Sequence, residues 1–567
     1  MAGMAVLGLV PTWISSWLTP IWLLGVGAIG ALLLLAALWV VAMVLSRIPA
    51  LSALADNPTT RNRAALVASV LAFVLLSFAA YSAGMFGDSA APGGLERADA
   101  QMLVVLLALK SVIVGFAVIT LMSRRAVDEA GYALREGPLW PIFILTLVLA
   151  GFGIGGYFIV VKPAEKLASL WRLPSAGTTL REFTITAAPA AVLDDPSRDP
   201  PQQPIAVDFY RSELQQLTLR SNQNLTIDVR PSEDLDLNPL FKISSNEDFV
   251  WTKSSKATSP FSDEHITQLY VRNYGGQDAT LQLTQTTTPV FPEISTIPIT
   301  AVAIAGLFLI YMLQRAVLPK VSAVALSTLK SEMAQPLFMI ILIVGIVAEI
   351  LFIFLPYNTL GEDIKVLKDS GMTLIMVLGI IQAIWAASTS ISDEIDGRTA
   401  LTVLSKPIGR RSFIIGKYLG IFWTVAVIFL VLGLVFMVVV AYKPIFDAKE
   451  NSQVEEEAAN WQVCHFEMVG VVPGLVLAFL ETIVLAALSV AVSTRLPMLA
   501  NFVICFTIYV LGHLTPLIVQ SSIGKFAPVQ FVAELLSAVL PILDHFNITA
   551  AVATGVTVPY HYLGWAL

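Results

Sequence analysis

The sequence predicts a polytopic membrane protein, an all-α bundle of about ten spans carrying an inserted, extracytoplasmic β-sandwich-like domain. Three observations predict it. Of 567 residues, 56% are hydrophobic and only 13% charged, against about 25% charged in an ordinary soluble domain. Apolar stretches recur ten times at roughly the 20 residues a bilayer core demands. One long polar segment interrupts them and alternates with a period of two. The net charge of −7 is small for this length and spread over loops. The apolar composition makes a lipid bilayer the surroundings, and the net charge gives no sign of a nucleic-acid partner. Two cysteines, Cys464 and Cys505, are too few for a disulfide framework.

Taken in order, the predicted spans are 21–45, 64–85, 102–122, 139–161, 297–313, 336–355, 372–391, 413–441, 469–492 and 499–519. The first charge is Arg47, so the first apolar run has no basic n-region and is expected as a retained helix rather than a cleaved signal. Trp17 and Trp22 lie near one interface of it. Arginine and lysine then set the orientation. Arg47, Arg61 and Arg63, then Arg124, Arg125 and Arg135, then Arg315, Lys320 and Lys330 fall in one set of loops. Arg398, Lys406, Arg410, Arg411 and Lys417 belong to the same set. The alternate loops hold only Arg97, then Lys365 and Lys368, then Lys443 and Lys449. Placing the basic loops in the cytoplasm puts the N-terminus and the polar insert outside; a bacterial cell (inner) membrane is the expected location.

The insert, 162–293, reads as several short strands. Phe183 and Ile185 alternate with Thr184 and Thr186, and Ile205, Val207 and Phe209 do likewise, as do Leu225, Ile227 and Val229. Leu269 and Val271 lead through Tyr274-Gly275-Gly276 to Leu281 and Leu283, a hairpin signal. Pro, Ser and Asn lie between the strands, as a β-sandwich would have them. The segment shows no metal cluster or nucleophile, so a stalk or a partner-binding module is expected, not an enzyme.

Residues 323–335 carry Leu326, Leu329 and Met333 on one helical face. They are expected as an amphipathic helix on the cytoplasmic surface, a plain linker helix being the alternative. At the other extreme, His561, Tyr562 and Trp565 form the aromatic belt that starts a span, so the chain is expected to stop at the beginning of an eleventh helix.

The stretch 391–419 is where short-spaced charges lie directly between two apolar runs. Asp393, Glu394, Asp396 and Arg398 follow one run, and Arg410, Arg411 and Lys417 lead into the next. Between them Leu401 and Leu404 recur at helical spacing, Pro407 ends the turn, and Ser412 is placed to cap the following helix. A short helix ringed by charge at a membrane face is suited to touch something outside the bilayer. A solvated loop obeying the positive-inside rule is the plainer alternative.

The order of surface helix, span, outer loop, span, EIDGRTALTVLSKPIGRRSFIIGK and long span resembles the permease subunits of type-2 ABC exporters, especially the multicopper-enzyme-maturation-like branch. That family's pattern is an acidic residue, a Gly-Thr pair, a leucine-rich turn, Ser-x-Pro and a basic residue leading to Gly-Lys. Here it matches Glu394, Gly397 and Thr399 (with Arg398 between them, a departure), Leu401 and Leu404, Ser405 and Pro407, Arg411, and Gly416-Lys417. The resemblance covers 323–567, which holds five of the family's six permease helices. The domains are then 1–161, a four-helix membrane block; 162–293, the β-rich domain; 294–322, a connecting helix; and 323–567, the permease-like domain.

The resemblance implies a subunit that docks a separate ABC ATPase through a coupling helix at about 394–412, with Glu394, Gly397, Arg398, Thr399, Leu401, Leu404, Pro407 and Arg411 at the contact. It also implies a second permease subunit, identical or not. The chain itself would be no enzyme and hold no cofactor, ATP and Mg belonging to the partner. No G-x-x-x-x-G-K-[ST] occurs: Tyr418 follows Gly416-Lys417, and Arg411 stands where the first glycine is needed.

Four ionisable residues fall inside predicted spans: Lys110, Glu349, Glu481 and His513. Each costs at least about 2.5 kcal/mol at a bilayer centre unless it is partnered or functional. Glu481 is the best placed for a translocation path, Glu349 lies nearer the outer end, and Lys110 is expected to pair with a carboxylate in the N-terminal block. For each, a structural bond between helices is the simpler role. Cys464, His465 and Met468 would suit copper, but three residues in one loop read as chance neighbours, and no metal is assigned. Two other function classes remain open. A membrane-anchored sensor or assembly scaffold would use the β domain as its reader. A secondary transporter would need broken helices in repeated halves, and none is found.

Overall fold

The apolar runs become helices because a backbone in lipid must satisfy its own hydrogen bonds. The computed structural model describes residues 11–82, 97–189, 200–229, 240–253, 261, 263–355, 362–392, 409–450, 460–520, 531, 535, 541, 543–556, 558 and 560–566. Among these residues, nine helices are long and apolar enough to cross a membrane. The chain is a mostly helical, multi-pass protein with a small antiparallel β region. It divides into two compact units, Met1–Val161 with Thr296–Leu567, and Lys162–Ser295.

The helical unit begins with α1 (Thr12–Ser46), α2 (Pro49–Asp56), α3 (Pro58–Ser82), α4 (Arg97–Leu121), α5 (Arg124–Glu136) and α6 (Leu139–Gly156). It resumes with α8 (Thr296–Val317), α9 (Pro319–Met333), α10 (Pro336–Phe354), α11 (Asp363–Ala387), α12 (Arg410–Glu450), α13 (Trp461–Gly470), α14 (Val472–Ser493) and α15 (Met498–Gln520). Short helices α16 (Thr549–Ala553) and α17 (Tyr560–Ala566) end the described chain. Helices α11, α12 and α14 form the centre, where Ile375, Val425, Phe436 and Ala486 share one buried cluster. The apolar windows of α11 and α12 are each 67% buried, that of α1 only 17%, so the N-terminal helices lie at the periphery. Helix α1 packs on α6, α8 and α13, while α3 and α4 pack chiefly on each other.

Each of the ten expected stretches falls on a helix, but the ends differ. Helix α11 starts well before the predicted 372, and α12 runs on past 441 to Glu450. The cause is ionic: Lys368 of α11 pairs with Glu467 of α13, and Lys443 of α12 lies 2.9 Å from Asp447. A lysine with a carboxylate at hand can stay inside a packed helix, where an unpartnered one would end the apolar run.

The second unit opens with α7 (Pro163–Ala168) and holds β1 (Gly177–Ile185), β2 (Gln203–Tyr210), β3 (Leu214–Ser221), β4 (Leu225–Asp228), β5 (Phe241–Ile243), β6 (Asp248–Thr252), β7 (His265–Asn273) and β8 (Ala279–Thr287). Two four-stranded sheets form, in the orders β1-β8-β3-β6 and β2-β7-β4-β5. Alternation sets the register, with Leu219 opposite Leu283 in one sheet and Ile205 opposite Leu269 in the other. The inward residues of both sheets share one core. Truncating its fully buried Leu219 to Ala is expected to destabilise this unit by about 2–5 kcal/mol. Limited proteolysis against temperature reads that loss, and an unchanged profile would speak against the shared core.

The expected β7–β8 hairpin is corrected: the two strands belong to different sheets. Buried Asn273 turns the connection. Its Nδ2 donates to the carbonyls of Gln277 (2.9 Å) and Thr186 (3.2 Å), and its Oδ1 accepts from Gly275 N–H (2.8 Å). Gly275 is small because a Cβ there would lie 2.5 Å from Gln223 Oε1, while the choice of sheet follows from which core the alternating residues enter.

Candidate functional site

Of the predicted docking residues, Glu394, Gly397, Arg398, Thr399, Leu401, Leu404 and Pro407 lie outside the described residues. Arg411 is described, exposed in the first turn of α12. Ser412 sits within that turn and does not cap it, because α12 already begins at Arg410. What the structure describes is the packing of the helices on either side of residues 393–408.

One side of that packing is a polar network where α9, α10 and α11 meet. The α11 helix widens at its end into a π turn over Ser388–Ser392, a feature common where helices serve function. Trp385 Nε1 donates to Gln335 Oε1 at 2.6 Å. Gln335 Nε2 lies 3.4 Å from Thr389 Oγ1, which donates to the Trp385 carbonyl (3.0 Å) and lies 3.4 Å from Glu332 Oε1. One residue earlier, Ser388 Oγ accepts from Asn501 Nδ2 (2.9 Å), which also reaches Ser489 Oγ (2.8 Å). Asn501, Ser388 and Ser489 are all buried. Residues of α9, α11, α14 and α15, with Gln335 at the head of α10, are thus joined by directional bonds just before residue 393, and directional bonds resist sliding better than apolar contacts do.

The other side is the contact of α9 with α12. A Cβ at Gly416 would lie 2.6 Å from Val324 Cβ, and one at Gly420 would lie 2.6 Å from Thr328 Cβ. Two glycines four apart let the helices touch backbone to backbone, as small residues do in membranes. The buried stripe of α9 is therefore Val321, Val324, Ala325, Thr328, Leu329 and Glu332, and the expected face of Leu326, Leu329 and Met333 is rotated from it. Glu332 is buried in this stripe, its Oε1 3.4 Å from Thr389 Oγ1. The Gly416-x-x-x-Gly420 spacing was open to view in the sequence; only its partner helix was not.

The intramembrane candidates separate. Lys110 is exposed on α4, and no carboxylate partner for it stands among the described residues. Glu349 on α10 is wholly buried with both carboxylate oxygens unbonded, and Gln382 on α11 is equally buried with its amide unbonded. Gln382 was missed, although an amide inside an apolar run is itself a signal. Glu481 and His513 come together: Glu481 Oε1 lies 3.4 Å from His513 Nε2.

The second nitrogen of His513 fixes the chemistry of that pair. Nδ1 lies 3.1 Å from the Tyr509 carbonyl. A carbonyl only accepts, so Nδ1 carries a proton, and Nε2 and the carboxylate face each other as two acceptors unless one further proton lies between them. A hydrogen bond across this 3.4 Å gap therefore needs one proton between the two groups. Replacing His513 with Leu is expected to strand Glu481 and cost about 1–3 kcal/mol, whereas Glu481→Gln, whose amide can donate to Nε2, should keep most of the stability. Equal losses in a detergent melting assay would contradict the shared proton.

At the ends of the helices remote from the loop, Lys368 and Lys443 are both buried in their pairs, and Lys443 Nζ also lies 3.5 Å from the Ile353 carbonyl. His465 Nε2 meets Thr296 Oγ1 at 2.8 Å, so that nitrogen is engaged within the helical packing. Cys464, His465 and Met468 are buried on α13, in a helix where an outer loop was expected. Among the described residues no group of three His, Cys, Asp or Glu side chains could hold a metal ion. Comparison with known proteins gives no match to a family model, a curated protein or a solved structure.

Proposed function

We propose that this chain is the membrane-spanning permease subunit of an ATP-driven ABC transporter, an exporter that works as a dimer with a separate ATPase. The reading rests on the resemblance of residues 394–417 to that family's coupling stretch. The observation that carries it is the packing on either side of this stretch: the polar network at the end of α11 and the backbone-close contact of α9 with α12. A loop that must transmit closure of two ATPase subunits needs rigid roots, since a compliant one would absorb the movement. Glu394, Arg398 and Arg411 would set the register, and Leu401 and Leu404 would fill a cleft on the ATPase. On this reading residues 162–293 lie outside the cell and the basic loops inside.

The test is affinity purification from native membranes of the wild type beside a variant with Glu394→Ala and Leu404→Asp. Recovery of an ABC ATPase with the wild type alone is the expected result. No ATPase with either protein would remove the exporter reading and favour a sensor or scaffold built around the β unit.

A further inference from the structure

A crevice of about 440 Å³ opens among α1, α4, α5, α6 and α8. Small side chains leave it open: Ala36 and Ala42 of α1, Ala117 of α4, and Ala126, Ala130 and Gly131 of α5 all line it. A Cβ placed at Gly131 meets nothing within 4 Å. The lining is apolar apart from the indole N–H of Trp39 and Thr120, whose hydroxyl already donates to the Phe116 carbonyl at 2.7 Å. A peptide backbone or a polar ligand would find few hydrogen-bond partners inside, and each unmet polar group would cost free energy. An alkyl chain needs none.

Charge gathers beside this space. Arg124 and Arg125 open α5, immediately before lining residues Ala126 and Val127, and the first turn holds no acid. Arg124 is steered onto α1, its Nε donating to the Ser46 carbonyl at 2.7 Å and its Nη2 to the Arg47 carbonyl at 3.3 Å. Those partners are neutral, so its charge stays available. Further along α5, Glu129 is taken by Arg315 (3.2 Å) and Glu136 by Lys330 (3.2 Å), while Asp56 accepts from Ser123 Oγ (2.6 Å). The Ser123 hydroxyl is neutral, so Asp56 keeps its charge, and Asp56 and Asp128 face Arg47, Arg124 and Arg125 with one positive charge in excess. The positive-inside rule accounts for arginines in a loop; it does not account for an apolar space beneath them.

We propose that this crevice holds one acyl chain of an anionic phospholipid, with its headgroup on Arg124 and Arg125. Basic pockets between membrane helices select anionic headgroups in this way, and a volume of this order is that of a small-ligand site. The lipid would fill the gap between α5 and α1.

The full-length protein is reconstituted in nanodiscs of phosphatidylglycerol and phosphatidylcholine in equal parts, extracted in mild detergent, and its retained lipids counted by native mass spectrometry. The wild type should keep phosphatidylglycerol over phosphatidylcholine by about thirtyfold, on the scale of roughly 1 kcal/mol for each of the two arginines. Arg124→Gln with Arg125→Gln should retain lipid but lose that preference. Gly131→Leu, which fills the space and favours the helix, should lose the lipid with its melting temperature maintained. Equal retention of both lipids by the wild type, or undiminished retention by Gly131→Leu, would overturn the proposal.

Discussion

Replacing Glu467 with Ala is expected to lower the stability of the helical unit by about 3–5 kcal/mol, the cost of leaving a buried charge without its partner. Lys368, whose side chain is only 2% exposed, sits in the second turn of α11 and pairs with Glu467 of α13. Removing the carboxylate leaves the ammonium buried without its counter-charge. The converse change separates charge from packing. Lys368→Met with Glu467→Leu removes both charges while keeping much of the volume, and such replacements are often neutral or stabilising. A melting assay in detergent should therefore show a large drop for Glu467→Ala and little or none for the double variant. Equal drops would mean that shape rather than charge holds α13 in place.

Replacing Gly420 with Leu is expected to force α9 away from α12. Its Cβ alone would lie 2.6 Å from Thr328 Cβ and 2.8 Å from the Ala325 carbonyl, both on a helix that cannot yield locally. Overpacking of this kind costs about 1–3 kcal/mol, but the larger effect is positional, since Glu332 on α9 would be drawn out of reach of Thr389. Hydrogen exchange along residues 321–332 should accelerate markedly in the variant while α14 keeps its protection. Unchanged exchange in α9 would mean that this contact does not hold the helix. If the loop at 393–408 docks an ATPase, the same variant should weaken coupling with the docking residues intact.

Much of the architecture was legible because lipid imposes its demands locally. A stretch such as 336–355 can be read as a span from its own residues, and α10 occupies Pro336–Phe354. Helix ends were not legible, because Lys368 and Lys443 are kept inside by carboxylates that only the folded chain, or the next helical turn, supplies. Strand positions followed from alternation, as at Ile205, Val207 and Phe209. Strand pairing did not, since Tyr274-Gly275-Gly276 announces a turn without saying which sheet the next strand joins. At the site, Glu481 and His513 were each visible as charges in apolar runs, yet their meeting across α14 and α15 depends on packing. The network of Gln335, Trp385, Thr389 and Asn501 escaped notice because such residues near span ends are ordinary one at a time.

The most direct measurement of the central claim is photo-crosslinking from position 404 in native membranes, with a benzophenone amino acid in place of Leu404 and the captured protein identified by mass spectrometry. A cytoplasmic ABC ATPase, captured from position 404 and not from Leu351 on the exposed face of α10, is the result the account predicts. Capture of a kinase or regulator in its place, or an equal yield from both positions, would contradict it.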